Sequence, residues 1–502
     1  MPTSYWVDST PETDFPSLTE TVSVDVAVLG GGITGITAAT LLKRAGKTVA
    51  LLDMKRIVRG VTGYTTAKLT AGQGLIYAEL IESFGEQVAR GYAESQQEAI
   101  ERVATITDEE RIDCDFERTS NYVYTESGDE LEPLRREVDA AQRLGLPASF
   151  VTETSLPYEI AGAIKMDGQA QFHPRKYLLP LAHSLPGDGS HVFEYTRATG
   201  VVEGDPCRVE TDKGPLRARD VILATHIPFL DRGLFFAKVH PYRGYGLTAP
   251  IAPDLAPSGM YITSGQPTRT IRPVPDGAGG MLLLVGGESH KPGDDPDTER
   301  RYRAIEDFLA ERFGLREVTH RWSSQDYIPV DQLPYIGRLT RRSKHLYAAT
   351  GFRKWGLTNG TLAGMILADA ILGRPNRWSS VYEAQRLRPR ASAARFVKEN
   401  AGVARHFVGD RLKRGESRAP KDLRAGEGAI LRVDGEKVAV HRDDEGELHA
   451  LSPVCTHLGC LVSWNTAERS WDCPCHGSRF DPSGTVIQGP AVDDLKQRTL
   501  PG

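Results

Sequence analysis

The chain has 502 residues, 40% hydrophobic and 25% charged, with 61 basic and 66 acidic side chains and a formal net charge of −5. That length suits about three compact units with large cores, and the balance excludes general disorder and the strongly basic face of a nucleic-acid binder. No apolar run is long enough to cross a membrane; the longest candidate helix, residues 361–372, is too short and carries Asp369. The opening MPTSYWVDSTPETDF has neither a basic nor an apolar signal region, so a cytoplasmic protein is expected. Six cysteines are too few for a disulfide scaffold. Four of them, Cys455, Cys460, Cys473 and Cys475, crowd together near the C-terminal end, and that clustering suggests a metal site.

In chain order, residues 23–53 read as a buried strand to about Leu29, a glycine turn, a helix to about Ala45, and a second strand ending at Asp53. The turn spells Gly-x-Gly-x-x-Gly through Gly30, Gly31, Gly32, Ile33, Thr34 and Gly35. Glycines there permit a tight turn, let a pyrophosphate approach the backbone, and let helix and sheet pack closely. The helix start offers free N–H groups to phosphate, and Asp53 can accept from ribose hydroxyls. FAD or NAD would suit this pattern. His173, in AQFHPRKY, precedes a predicted helix and is a candidate for a place near cofactor or substrate. Segments 219–225 and 344–350 read as two more buried strands, the second running into GFRKWGLTNG and an apolar helix. Strands of one sheet recovered from distant segments imply an interleaved second domain. Cofactor-binding parts are expected at about 20–85, 161–225 and 336–385, and substrate parts at about 86–160 and 226–335. Arg243, Arg269 and Arg272, with Tyr242 and Tyr245, fall in the latter, and a guanidinium suits a carboxylate substrate. Residues 386–420 form a basic linker, in which Phe396, Val397, Val403, Ala404, Phe407, Val408 and Leu412 recur at helical spacing. A tie between domains is favoured for the 386–424 stretch over peripheral contact with an anionic membrane or binding of an acidic electron acceptor. Residues 421–502 read as short strands separated by Asp-Gly and Glu-Gly turns, a small β domain.

Over about residues 20–385 the chain resembles the D-amino-acid oxidase-like FAD-dependent oxidoreductases. The matching pieces are Gly30–Gly35 with Asp53, the ILAT strand around Ala224, and ATGFRKWGLTNG. The resemblance implies FAD, with Gly351, Gly356, Leu357 and Thr358 placing a helix N-terminus at the flavin, where a helix dipole stabilises negative charge. It also implies that VTGYTTAKLT, with Thr65, Thr66 and Ala67, wraps the cofactor. Lys354 sits inside the flavin-facing turn, a candidate to hold a water or oxygen species. No His in 54–100 and no Cys in 208–454 stands ready for a covalent flavin bond, so the FAD is expected to be non-covalent.

CTHLGC at 455–460 and CPCHGS at 473–478 each give one Cys and one His. Zinc uses the same atoms, but zinc fingers group their ligands differently. One Cys and one His per loop is the arrangement of a Rieske [2Fe-2S] centre, with Cys455 and Cys473 on one iron and His457 and His476 on the other. Residues 420–502 resemble the cytochrome bc-type Rieske fold. The resemblance implies a Cys460–Cys475 disulfide, Ser478 as a hydroxyl donor to the cluster, and 489–491 as a loop over it. Phe480 replaces the family's tyrosine donor, so a potential below the top of the usual range of about −150 to +300 mV is expected.

The expected fold is a Rossmann-like α/β domain with an interleaved α+β substrate domain and a C-terminal all-β domain. The expected function is oxidation of a small amine, amino acid or hydroxy acid at FAD, with single electrons passing through the cluster to an external acceptor. Reverse flow in a reductase and a non-enzymatic redox sensor are the alternatives.

Overall fold

Val24, Val26 and Val28 alternate with short residues in Ser23–Leu29, a strand buried on nearly both faces, as a central parallel strand must be. In the computed structural model, which describes residues 2–295, 297–409, 411 and 418–500, it pairs in parallel with Val49–Leu52 and Leu216–Leu223. His191–Phe193 and Leu346–Thr350 extend this sheet in parallel, and Tyr335–Arg338 closes one edge antiparallel. The helices Ile33–Arg44 and Gly356–Leu372 pack together over it. Their approach leaves no room for side chains: a Cβ on Gly364 would stand 2.7 Å from Thr37 Cβ, and one on Gly360 2.6 Å from Ile33 Cγ2.

A second, nine-stranded sheet holds Val239–Ile251, Met281–His290 and His320–Pro329 at one end and Glu117–Thr125 and Gly162–Gln171 at the other. The strand Gly162–Gln171, within the 161–225 stretch expected among the cofactor-binding parts, stands in this second sheet. It pairs antiparallel with Glu117–Thr125 and Ala148–Val151 and buries Ile164, Met166 and Ala170 in that register. The helix Pro389–Ala404 occupies much of the basic linker, and Leu412 lies outside the described residues.

The C-terminal part is all β: Gly428–Val433, Glu436–Arg442 and Leu448–Leu451 form one antiparallel sheet. Four short strands between Ser463–Asn465 and Val486–Gln488 form another. Asp434 and Gly435 both take positive φ, 48° and 86°, the two-residue turn whose twist matches the strands it joins.

This small domain is seated on the larger body through a buried polar seam. Arg243, fully buried on Val239–Ile251, meets Asp472 at 3.3 Å. Asp472 also accepts from Arg479 Nε at 3.0 Å, and the Tyr302 hydroxyl donates to Glu468 at 2.9 Å. Thr298 donates to Asn465 Oδ1 at 2.8 Å and accepts from the Ala467 N–H. Removing one member of a buried ion pair leaves the other charge unpaired, a loss of about 3–5 kcal/mol. Asp472→Leu should therefore lower the unfolding midpoint markedly. The double variant Arg243→Met/Asp472→Leu should recover much of it, and calorimetry on the full chain checks both.

Candidate functional site

A cavity of about 490 Å³ opens at the carboxyl ends of the first sheet's strands, where open α/β sheets bind their ligands. Gly30 takes φ +114°, and a Cβ there would stand 2.5 Å from the Ala224 carbonyl oxygen. The turn is thus possible only for glycine, and it brings bare backbone to the cavity wall. Gly31, Gly32, Ile33 and Thr34 line the cavity beside it, at the N-terminus of Ile33–Arg44. Asp53 closes the adjacent strand and accepts from the Gly31 N–H at 2.9 Å and the Lys55 N–H at 2.9 Å. Burial lifts its pKa to about 6, against those two bonds.

Thr65, Thr66, Gly356 and Leu357 also face the cavity. Gly35, Ala67, Gly351 and Thr358 stand behind it and shape its walls. A side chain on Gly35 would run into the Gly30 carbonyl, Gly351 (φ +78°) packs on Pro329, and the Thr358 hydroxyl donates to the Thr70 carbonyl at 3.3 Å. The Ala67 carbonyl accepts from Arg272. These features fit a bound dinucleotide: a phosphate-sized backbone cradle, a helix N-terminus and a ribose-facing carboxylate.

Lys354 opens its side chain into the cavity. Its side chain is exposed there and its ammonium donates to Ser289 Oγ, while the protein atoms around it displace enough water to lower its pKa to about 8, opposed by Asp326. His173 does not reach the cavity. Its Nδ1 caps the helix Pro174–His183 by accepting from the Lys176 N–H, and its Nε2 lies 3.0 Å from Ser9 Oγ. Burial pushes its pKa down to about 3, so the ring is neutral. The three arginines are likewise not open to a substrate. Arg243 serves the seam, Arg269 pairs with Glu288 at 2.7 Å, and Arg272 lies over the Trp6 ring. Tyr242 and Tyr245 do line the cavity.

The two cysteine loops converge in the C-terminal domain. Cys460 and Cys475 form a disulfide that ties them together. Cys455 and Cys473 are buried neighbours. Hydrogen bonds from Cys473, from the His457 backbone and from Ser478 hold the Cys455 thiol low, while Cys455 and burial push Cys473 well above its usual range. The rings of His457 and His476 lie 5.1 Å apart, both edge-on to Phe236. His457 Nδ1 is buried with no hydrogen-bond partner among the described residues, while its Nε2 sits 3.0 Å from Asp231 Oδ1. Burial, with His457 beside it, lowers His476 to about 3, leaving neutral imidazole. A pair of neighbouring thiols and a pair of neighbouring imidazoles, one with an orphaned ring nitrogen, fit a [2Fe-2S] cluster of Rieske type. Ser478 Oγ accepts from the Ala491 N–H at 3.0 Å, and Thr456 donates to the Asp493 carbonyl, so the 489–493 loop spans both cluster loops.

Sequence reasoning missed how these two sites meet. Glu468, Arg479, Ile487 and Gln488 of the C-terminal domain line the cavity alongside the glycine turn. The N-terminal arm contributes as well: Trp6 Nε1 donates to the Thr65 carbonyl at 2.7 Å, and Ser4 Oγ to the Gly63 carbonyl. His226, which follows the ILAT strand directly, also faces the cavity, and that adjacency was the one available signal.

The profile of FAD dependent oxidoreductases matches residues 25–370, and that of the Rieske [2Fe-2S] domain residues 416–499. The Rieske 2Fe-2S iron-sulfur protein YhfW of Bacillus subtilis (strain 168) is 35% identical over 503 residues, 99% of this chain and 98% of that protein. The gamma-glutamylputrescine oxidoreductase of Escherichia coli (strain K12) is 24% identical over 381 residues, 73% of this chain and 88% of its own. Glycine oxidase from Geobacillus kaustophilus superposes with a TM-score of 0.61 at 19% identity, over 73% of this chain and 100% of that one, a shared fold.

Two substitutions separate the sites. Gly30→Val should yield protein without stoichiometric flavin absorbance yet with its cluster signal intact. His457→Cys should abolish Rieske-type EPR and leave flavin absorbance in place; a wild-type EPR spectrum would overturn the ligand assignment.

Proposed function

The chain belongs to the FAD-dependent oxidoreductase family and carries a Rieske [2Fe-2S] domain, and from that premise we propose that it oxidises a small amine, amino acid or hydroxy acid and delivers the electrons singly to an external acceptor. The observation that carries this reading is the shared wall: side chains of the cluster-bearing domain line the cavity that begins at the glycine turn. When bound, flavin exchanges electron pairs with organic substrates and a Rieske centre exchanges single electrons, so their union converts one currency to the other.

The residues divide the work. Gly30, Gly31, Gly32 and Thr34, with the N–H groups of Ile33–Arg44, hold the pyrophosphate, and Asp53 holds the ribose. Thr65 and Thr66 line the cofactor loop. The N-terminus of Gly356–Leu372, through Gly356 and Leu357, presents positive partial charge where negative charge accumulates on reduction. Cys455, Cys473, His457 and His476 hold the cluster, and the Cys460–Cys475 disulfide fixes their loops. Lys354, cationic below about pH 8, suits the anionic end of a substrate such as an amino or hydroxy acid. The name of one relative, a gamma-glutamylputrescine oxidoreductase, supports a small nitrogen-bearing substrate. Among the described residues no helix is long and apolar enough to cross a membrane.

Anaerobic mixing with a panel of amines, amino acids and hydroxy acids, with flavin absorbance and low-temperature EPR recorded together, tests the reading. One compound should bleach the flavin while a Rieske signal grows; flavin bleaching with a permanently oxidised cluster would refute the relay. Because Lys354 has its pKa depressed, its positive charge is present below about pH 8 and lost above it. KM for an acid substrate should then rise as pH passes 8, with kcat little changed. Lys354→Met should raise KM roughly 10–100-fold at pH 7, the worth of a charged hydrogen bond, and flatten the profile.

A further inference from the structure

We infer that Asp326 and His226 are positioning residues that lock the flavin-facing turn to the loop over the cluster, so that the two redox sites exchange electrons across one fixed, hydrogen-bonded bridge. This rests on the reading above that electrons pass between them.

The bridge starts in the turn. Arg353 and Lys354 both take left-handed conformations, φ +53° and +69°, which are unfavourable for non-glycine residues and persist only where the surroundings hold them. Asp326 supplies that hold. One carboxylate oxygen accepts from the Lys354 N–H, and the Tyr327 carbonyl accepts from the Arg353 N–H at 3.1 Å. The other carboxylate oxygen lies 2.9 Å from His226 Nε2 and accepts from the Tyr327 N–H at 2.7 Å.

His226 carries the bridge across the junction. Its Nδ1 is 3.2 Å from Gln488 Nε2, an amide donor on the strand that leads into the loop over the cluster. Since Gln488 donates, Nδ1 must accept; Nε2 therefore bears the proton and donates to Asp326. The ring's tautomer is thus set by both neighbours, and the Thr350 hydroxyl fixes the backbone by donating to the His226 carbonyl at 2.6 Å.

The same strand grips the cluster loop directly. Side chains alternate along His320–Pro329. Gln325 and Tyr327 point to the loop, donating to the carbonyls of Gly477 at 2.8 Å and His476 at 2.9 Å. Three consecutive residues therefore hold the turn on one side and a cluster ligand's backbone on the other. Electron tunnelling falls steeply with the gap between donor and acceptor. A device that fixes both ends to one strand keeps that gap constant while each transfer oxidises the flavin by one electron and reduces the cluster by one.

The test needs no substrate. The flavin of the anaerobic full-length holoprotein is reduced photochemically with a sacrificial donor, and freeze-quenched samples are read for flavin absorbance and cluster EPR. In the wild type the cluster signal should follow flavin reduction. His226→Phe keeps a ring at that position and loses both bonds; its cluster signal should lag severalfold behind that of the wild type, with unchanged g-values and cluster content. His226→Gln, which can still accept from Gln488 and donate to Asp326, should recover most of the rate. If His226→Phe sheds its flavin, Gln488→Leu cuts the cluster-side bond alone and should show the same lag. Wild-type transfer in both His226→Phe and Gln488→Leu would overturn the bridge. A wild-type cluster that stays oxidised beside a reduced flavin would overturn the relay itself.

Discussion

Arg243 and Asp472 meet in a buried seam, and the arrangement of both redox sites depends on that meeting. A buried ion pair contributes little net energy, because desolvation offsets most of its attraction; its effect is on register. A slide of the C-terminal domain would part the two charges and leave each buried without its partner. The pair is braced by Arg479 against Asp472 and by Glu468 against Tyr302. Only with that register fixed do Gln325 and Tyr327 find the cluster loop's carbonyls, and only then does Gln488 reach His226.

The seam also explains what could be read from sequence and what could not. The glycine turn, the strand before it and Asp53 are contiguous, so their pattern carries the backbone geometry that makes them a cradle. The cluster ligands are legible for the same reason, since two short loops with one Cys and one His each leave few chemical alternatives. The family profiles bear out the two cofactors and the fold class those patterns implied. Single polar residues were another matter. A histidine before a helix is equally a cap or a site residue, and His173 is a cap. Arginines in a substrate domain suggest carboxylates, yet Arg243 answers a carboxylate of its own chain.

Long-range pairing was invisible for a different reason. Gly162–Gln171 alternates well enough to join either sheet, and its partners, not its own residues, decide. Likewise nothing local in Gln488 or Glu468 announces that they wall a cavity begun at Gly30. Contacts between segments hundreds of residues apart have no period and no spacing to detect.

The cavity's walls bear on how the protein is made. Trp6 fastens the Thr65 loop near the beginning of the chain, while Arg479 and Gln488 face the same space near its other end. Domains fold as units while the ribosome is still working, N-terminal parts first. Here the Trp6 strap and the wall of Arg479 and Gln488 belong to one chamber, so the chamber cannot close until translation has passed the cluster loops. The flavin chamber thus gains its last wall only with the cluster-bearing domain, so full enclosure of a bound flavin waits on that domain's synthesis.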